Sequence, residues 1–230
     1  MKTSKKGLVK IISHEGIVVG PYLDSVGVWT YGVGHTVNAG GIDPAKLPKV
    51  DTRNWADGLV RAELIKALSL YEQDLKKYED RVNKAIKVPL KQHQFDALVS
   101  FDFNTGGIFK ANLTKEINSG NFSGRGFMGW VRPKEIIGRR TAEQMLFITG
   151  DYEDKKTKVP VYDTTSTGKP EFRESMTSSE LTTLMGVSNN TVVELPKEEV
   201  IRVISVKDKP NTFTKIINSI LTALKQFLNP

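Results

Sequence analysis

Two carboxyl groups and one hydroxyl near the start of the chain have residue types and a spacing suited to breaking a bond between sugars. They belong to Glu15, Asp24 and Thr30. In that reaction a carboxylic acid protonates the departing glycosidic oxygen, while an ionised carboxylate and a hydroxyl hold the attacking water or stabilise the positively charged ring. Two acidic residues this close are common in soluble chains, so the surrounding residues must show whether this pair is catalytic.

The elements predicted around these three residues would position them for such chemistry. An apolar stretch upstream favours a short helix that stops at Gly16, which puts Glu15 in the last helical turn. There the helix dipole and an adjacent apolar wall would both favour the protonated form that a general acid needs. Asp24 opens the turn of a predicted hairpin, and Thr30 lies on the returning strand as a partly exposed hydroxyl.

This arrangement resembles the active site of the phage-type lysozyme (endolysin, muramidase) family. In that family the three residues have the spacing Glu-x8-Asp-x5-Thr, and a Gly-x-Gly-His sequence follows; here it is 32–35. The resemblance implies that Glu15, Asp24 and Thr30 are the catalytic residues. It extends over roughly residues 5–185.

Two further blocks carry the resemblance into the second half of the chain. The segment 94–106 is similar to the family's segment in the second lobe, which implies that Phe103 and Asn104 bind substrate in the cleft. The segment 137–144 is similar to the family's late arginine-rich helix. The implied fold is α+β and lysozyme-like: a small β-containing N-terminal lobe, a long helix, and a mainly helical lobe, with the cleft between the lobes.

The sequence divides into a lysozyme-like catalytic domain, residues 1–187, and a C-terminal extension, residues 188–230. Within the domain, apolar residues recur every three or four positions over 60–86, which predicts the long helix. The segment 151–173 is rich in lysine, threonine and proline and predicts a flexible excursion from the lobe.

In the extension, residues 200–206 predict a strand and residues 212–228 a helix with its apolar side chains on one face. Lys215 and Lys225 are the only charged residues of that helix. A basic amphipathic helix suits contact with an anionic membrane or with a partner's groove. Docking of the same face on the catalytic domain is the alternative, and the sequence leaves the choice open.

Composition narrows the classes of function. The chain has no cysteine, which excludes disulfides and thiolate metal sites. Its three histidines lack metal-ligand spacing, so we expect neither metal nor cofactor. A net charge of +7 favours an anionic partner. No nucleic-acid-binding motif is recognisable, so peptidoglycan, rather than nucleic acid, is the expected partner, and the chain is expected to be a monomer.

The expected function is that of an N-acetylmuramidase, which cleaves the β-1,4 bond between N-acetylmuramic acid and N-acetylglucosamine and so lyses a bacterial cell for a phage. No secretory signal or spanning apolar run is recognisable, so we expect the protein in the host cytoplasm, reaching the wall after membrane disruption. A lytic transglycosylase is one alternative, although it would need no water-placing Asp24. A virion-associated module that binds or pierces the wall is the other.

Three more residues have roles that the sequence suggests or leaves open. Asp102, between two phenylalanines, is either a cleft acid or a buried, paired carboxylate. His35 is expected to be ion-paired and structural. Trp29 is expected to pack in the core, because neighbouring residues of a strand face opposite sides and Thr30 faces the site.

Overall fold

The computed structural model describes residues 1–153 and 155–188. In chain order its helices and strands are α1 (Lys5–Glu15), β1 (Ile17–Leu23), β2 (Trp29–Gly32), α2 (Asp57–Ala85), α3 (Gln92–Thr105), α4 (Asn112–Asn118), α5 (Ile137–Thr149), β3 (Lys158–Thr164), β4 (Pro170–Thr177) and α6 (Ser178–Ser188). The strand predicted at 200–206, the helix predicted at 212–228 and its membrane contact lie outside the described residues.

Helix α1 ends where the sequence predicted. Its N-terminus is capped by Ser4, whose Oγ accepts a hydrogen bond from the Gly7 amide at 3.0 Å. Gly16 follows the helix with a φ of +76°, a conformation that side chains disfavour, and its amide donates to the Ile12 carbonyl. The chain therefore turns sharply after Glu15 and enters β1 at once.

A four-stranded mixed sheet has the order β2-β1-β3-β4. Strands β1 and β2 form the predicted antiparallel hairpin, and β4 pairs antiparallel with β3. Strand β3 pairs with β1 in parallel. A parallel pair requires a long crossover connection, and here the whole helical lobe lies in the sequence between the two strands.

The prediction of a flexible excursion over residues 151–173 is wrong. Strands β3 and β4 occupy much of that segment. The turn-forming residues within the segment were recognised correctly, because residues 165–169 form the β3–β4 turn. The sequence does not reveal that β3 pairs with β1 in parallel. In this position Val159 and Val161 of β3 are fully buried in the core.

The predicted long helix is α2, whose 29 residues extend about 44 Å. Its predicted apolar positions are mostly buried, and it leads from the sheet to α3, α4 and α5. Apolar side chains from both lobes form one continuous core. The result is the expected α+β arrangement of two lobes joined by a long helix. Within the described residues, none of the helices has the length and apolar character needed to cross a bilayer.

Candidate active site

Glu15 lies at the end of α1 with its side chain 29% exposed, and it is paired with a cation. Nη1 of Arg139, from α5, donates a hydrogen bond to its Oε1, and the Arg139 side chain is only 7% exposed. The surface beside Glu15 is therefore charged, and not apolar as the sequence suggested. Arg139 occupies Oε1, whereas Oε2 makes no hydrogen bond with the residues that the structure describes.

Arg139 belongs to a buried network of ion pairs within α5, which hydrogen bonds link to α3. Its Nε donates to Glu143 Oε1 at 3.1 Å, and the Ser100 hydroxyl donates to the same oxygen at 2.7 Å. Arg140 Nη1 lies 2.6 Å from Glu143 Oε2, and Arg140 Nη2 donates to Asn104 Oδ1 at 2.7 Å. Burial raises the pKa of Glu143, and the two guanidiniums oppose that rise. The network joins the acid to Asn104, one of the two predicted substrate contacts.

The turn of the β1–β2 hairpin fixes Asp24 and Thr30 through one shared residue. Asp24 Oδ1 accepts hydrogen bonds from the amides of Val26 at 2.9 Å and Val28 at 2.8 Å. The Thr30 hydroxyl donates to the Val28 carbonyl at 3.0 Å. Thr30 is only 2% exposed, so the expectation of a partly exposed hydroxyl is wrong.

Tyr22 is a site residue that the sequence reasoning missed. It lies directly opposite Thr30 in the hairpin. Burial, followed by the charges of Glu15 and Asp24, raises the pKa of the Tyr22 hydroxyl to about 12. One signal was available, since Tyr22 is two residues before Asp24 and alternate strand residues share a face.

Phe103 and Asn104, the predicted substrate contacts, lie in the last turns of α3. The Phe103 ring is half-buried and makes edge contacts with Tyr71 and Tyr78, at centroid distances of 6.0 and 5.1 Å. Asn104 is exposed and is held by Arg140. Their role in binding substrate stays a prediction.

The structure decides the open question at Asp102. Its side chain is fully buried, and its carboxylate accepts hydrogen bonds from Arg81 Nε at 2.6 Å and Nη2 at 3.2 Å. The amide of Ile108 donates to it at 3.0 Å. Asp102 is therefore a buried, paired carboxylate that anchors the end of α3, and not a cleft acid.

His35 is structural, as expected, whereas Trp29 is not in the core. His35 Nδ1 lies 2.7 Å from Asp74 Oδ2, and its Nε2 lies 2.9 Å from the Ile42 carbonyl oxygen. Trp29 stays partly exposed, and Lys49 Nζ lies over its ring at 3.6 Å from the centroid. Among the residues that the structure describes, no cluster of histidine and acidic side chains is arranged to hold a metal ion.

A helix that ends in a glutamate, a hairpin that carries an aspartate and a threonine, and a long helix leading to a helical lobe define a lysozyme-like protein. Residues 12–143 match the family model described as phage lysozyme. The endolysin of Acyrthosiphon pisum secondary endosymbiont phage 1 is 34% identical over 160 residues, which cover 64% of this chain and 98% of the relative. The endolysin of Salmonella phage P22 is 33% identical over 158 residues, 65% of this chain and 99% of the relative.

Solved structures agree with the sequence matches. An endolysin from phage FAHEc1 of Escherichia coli O157:H7 superposes with a TM-score of 0.55 at 30% identity, covering 66% of this chain and 96% of that one. A crystal structure of a P22 lysozyme mutant gives a TM-score of 0.51 at 29% identity, covering 65% and 99%. The chain belongs to the phage lysozyme family, and its lysozyme fold confirms the prediction. It is a glycosidase whose substrate is peptidoglycan.

Proposed function

We propose that this protein is an N-acetylmuramidase that cleaves the β-1,4 bond between N-acetylmuramic acid and N-acetylglucosamine, and that a phage uses it to lyse its bacterial host. The observation that carries the proposal is the placement of Glu15 at the end of α1 and of Asp24 in the turn that directly follows β1. These carboxylates come from different elements, and Thr30 lies opposite Tyr22. The lysis role is supported by relatives that bear the name endolysin.

In the first part of the reaction, Glu15 is the general acid. It donates a proton to the glycosidic oxygen as the bond between that oxygen and the anomeric carbon breaks. Arg139, which binds Oε1, keeps the carboxyl group from rotating. The Tyr22 hydroxyl keeps its own proton at neutral pH because its pKa is about 12, so it serves as a hydrogen-bond donor and does not compete as an acid.

In the second part, Asp24 and Thr30 place the attacking water. The turn holds Asp24 through Oδ1, and in the described part of the chain Oδ2 makes no hydrogen bond, so it can accept a proton from water. Attack on the anomeric carbon from the face opposite the leaving group inverts its configuration. An inverting pair of carboxyl groups needs a separation of about 6.5–9.5 Å to admit the water, whereas a nucleophilic Asp24 would need about 5 Å.

The first test is the loss of turbidity of purified bacterial walls. Wild-type protein is expected to clear the suspension, and Glu15→Gln, which keeps the shape of the side chain but holds no acidic proton, is expected to lose this activity. Asp80→Asn, which neutralises an exposed carboxylate on α2, is the matched control and should remain active. Clearing by Glu15→Gln would remove Glu15 from the catalytic role.

The second test examines the products. Hydrolysis leaves reducing ends, which mass spectrometry distinguishes from the anhydro ends left by a lytic transglycosylase. NMR of freshly released products should show the inverted anomer first. Anhydro products, or a glycosyl group trapped on Asp24, would contradict the proposed mechanism.

A further inference from the structure

The β3–β4 hairpin enlarges the sheet beyond the part of the chain that matches the family model. That match ends at residue 143, whereas the hairpin spans residues 158–177. Strand β3 pairs with β1, the strand that connects Glu15 to Asp24. The hairpin therefore adds surface directly beside the candidate site.

Pairing across the sheet places this new surface beside β1. Val18 is opposite Tyr162 on β3, and Tyr162 is opposite Phe172 on β4. Val18 lies three residues after Glu15, so this row of side chains crosses the sheet next to the strand that follows the acid.

The position of Tyr162 brings this extension close to the acid. Its ring lies 3.1 Å from the point that a Cβ on Gly16 would occupy, and Gly16 directly follows Glu15. Phe172 packs on Tyr162 edge to face, with ring centroids 6.0 Å apart and planes at 80°. Phe172 is nevertheless 63% exposed. The pair presents an aromatic surface to solvent next to the residue that follows the acid.

We propose that Tyr162 and Phe172 form an additional sugar-binding subsite, which stacks against an N-acetylhexosamine ring of the same glycan strand whose bond is cleaved at Glu15. This inference rests on the proposed function. A pyranose ring has an apolar C–H face that matches an exposed aromatic ring, and rigid aromatic side chains supply contact area at low entropic cost. The glycan is the expected occupant because peptidoglycan is the substrate and Tyr162 lies beside Gly16, which directly follows Glu15.

The experiment measures binding separately from cleavage. The full chain carrying Glu15→Gln is titrated calorimetrically with two ligands freed of stem peptides: a disaccharide and a longer glycan strand. Adding Phe172→Ala should weaken binding of the longer strand roughly fivefold to tenfold and leave the disaccharide unchanged. Phe172→Trp, which restores an aromatic ring, should recover the affinity. Phe122→Ala, in the helical lobe and partly exposed, is the matched control and should change neither affinity.

Each outcome decides the proposal. An affinity for the longer strand that is unchanged by Phe172→Ala would overturn it. A large fall in melting temperature without a change in affinity would also overturn it, since Phe172 would then be covered by the chain itself. If walls resist the wild-type protein while binding depends on Phe172, the proposed function fails and the subsite stands.

Discussion

Thr30 supplies one hydroxyl to the proposed site, and that hydroxyl also holds the turn of Asp24 through the Val28 carbonyl. Thr30→Ala should therefore lower kcat by roughly 100-fold, about 3 kcal/mol of transition-state stabilisation. Thr30→Ser keeps the hydroxyl and should retain most of the activity. Turnover on soluble glycan, measured beside the melting temperature of each variant, checks this. An active, well-folded Thr30→Ala protein would remove the hydroxyl from the mechanism.

His14, the neighbour of Glu15, makes stability depend on pH. Burial, followed by the charges of Arg139, Lys10 and Arg140, lowers the pKa of His14 to about 3. In the unfolded chain its pKa is near 6.5, so between these values only the unfolded state binds the proton. The stability from this residue is fully present above pH 6.5 and is lost as the pH falls toward 3.

We expect a His14→Gln variant to show a weaker fall in unfolding free energy between pH 6.5 and pH 4 than the wild type. The difference should reach at most about 1.4 kcal/mol per pH unit. Urea unfolding at a series of pH values measures it. Identical slopes for the two proteins would show that His14 is not held neutral by the fold.

Single residues were predictable where a local pattern determined them. Gly16 marks the helix end by its own backbone preference, and the Asp24 turn follows from the residues within it. Arg139 could not be placed beside Glu15 in this way, because 124 positions separate them in the sequence and only the packing of α5 against α3 brings them together. An ion pair of that kind has no signature in local spacing.

At the scale of elements, the β3–β4 turn supports both strands of the site. The Gly168 carbonyl accepts a hydrogen bond from the Leu23 amide at 2.7 Å, and Gly168 has a φ of +81°. A Cβ at this position would lie 2.7 Å from the Trp29 ring. Leu23 directly precedes Asp24, and Trp29 directly precedes Thr30. The turn therefore contacts the neighbours of both the Asp24 carboxylate and the Thr30 hydroxyl.

Gly168→Ala should thus displace Trp29 and Leu23, lower the unfolding free energy by about 1–3 kcal/mol, and lower kcat as well. Gly120→Ala is the control: its φ of +87° imposes similar backbone strain, but no atom lies within 4 Å of its Cβ position. It should lose stability and keep kcat. Equal kcat values for the two variants would show that the β3–β4 turn does not position the site.

Elements were predictable where a short window of sequence shows a clear pattern of side chains. The α2 periodicity and the β1–β2 hairpin are visible in such windows, and both are confirmed. Strands β3 and β4 also pair across a short turn, but they were missed because lysine, threonine and proline residues dominate the segment 151–173. The pairing of β3 with β1, on the far side of the helical lobe in the sequence, has no local signature.

At the scale of the whole molecule, Glu143 connects the acid of the sheet lobe to the helical lobe. Its carboxylate is 2% exposed and lies between Arg139, which contacts Glu15, and Arg140, which holds Asn104. These guanidiniums are almost as buried as Glu143 itself. Glu143 thus compensates two cations in the interior, where an unpaired charge is costly.

Glu143→Gln should lower the unfolding free energy by about 3–5 kcal/mol, because it leaves that buried positive charge uncompensated. Wall-clearing activity should fall too, since Arg139 and Arg140 would no longer be held between α3 and α5. The double variant Glu143→Gln with Arg140→Met removes one of the stranded cations and should recover part of the stability, as urea unfolding would show. If the two substitutions instead lower the unfolding free energy additively, Glu143 and Arg140 are not coupled. The buried network would then not be what links Glu15 to the helical lobe.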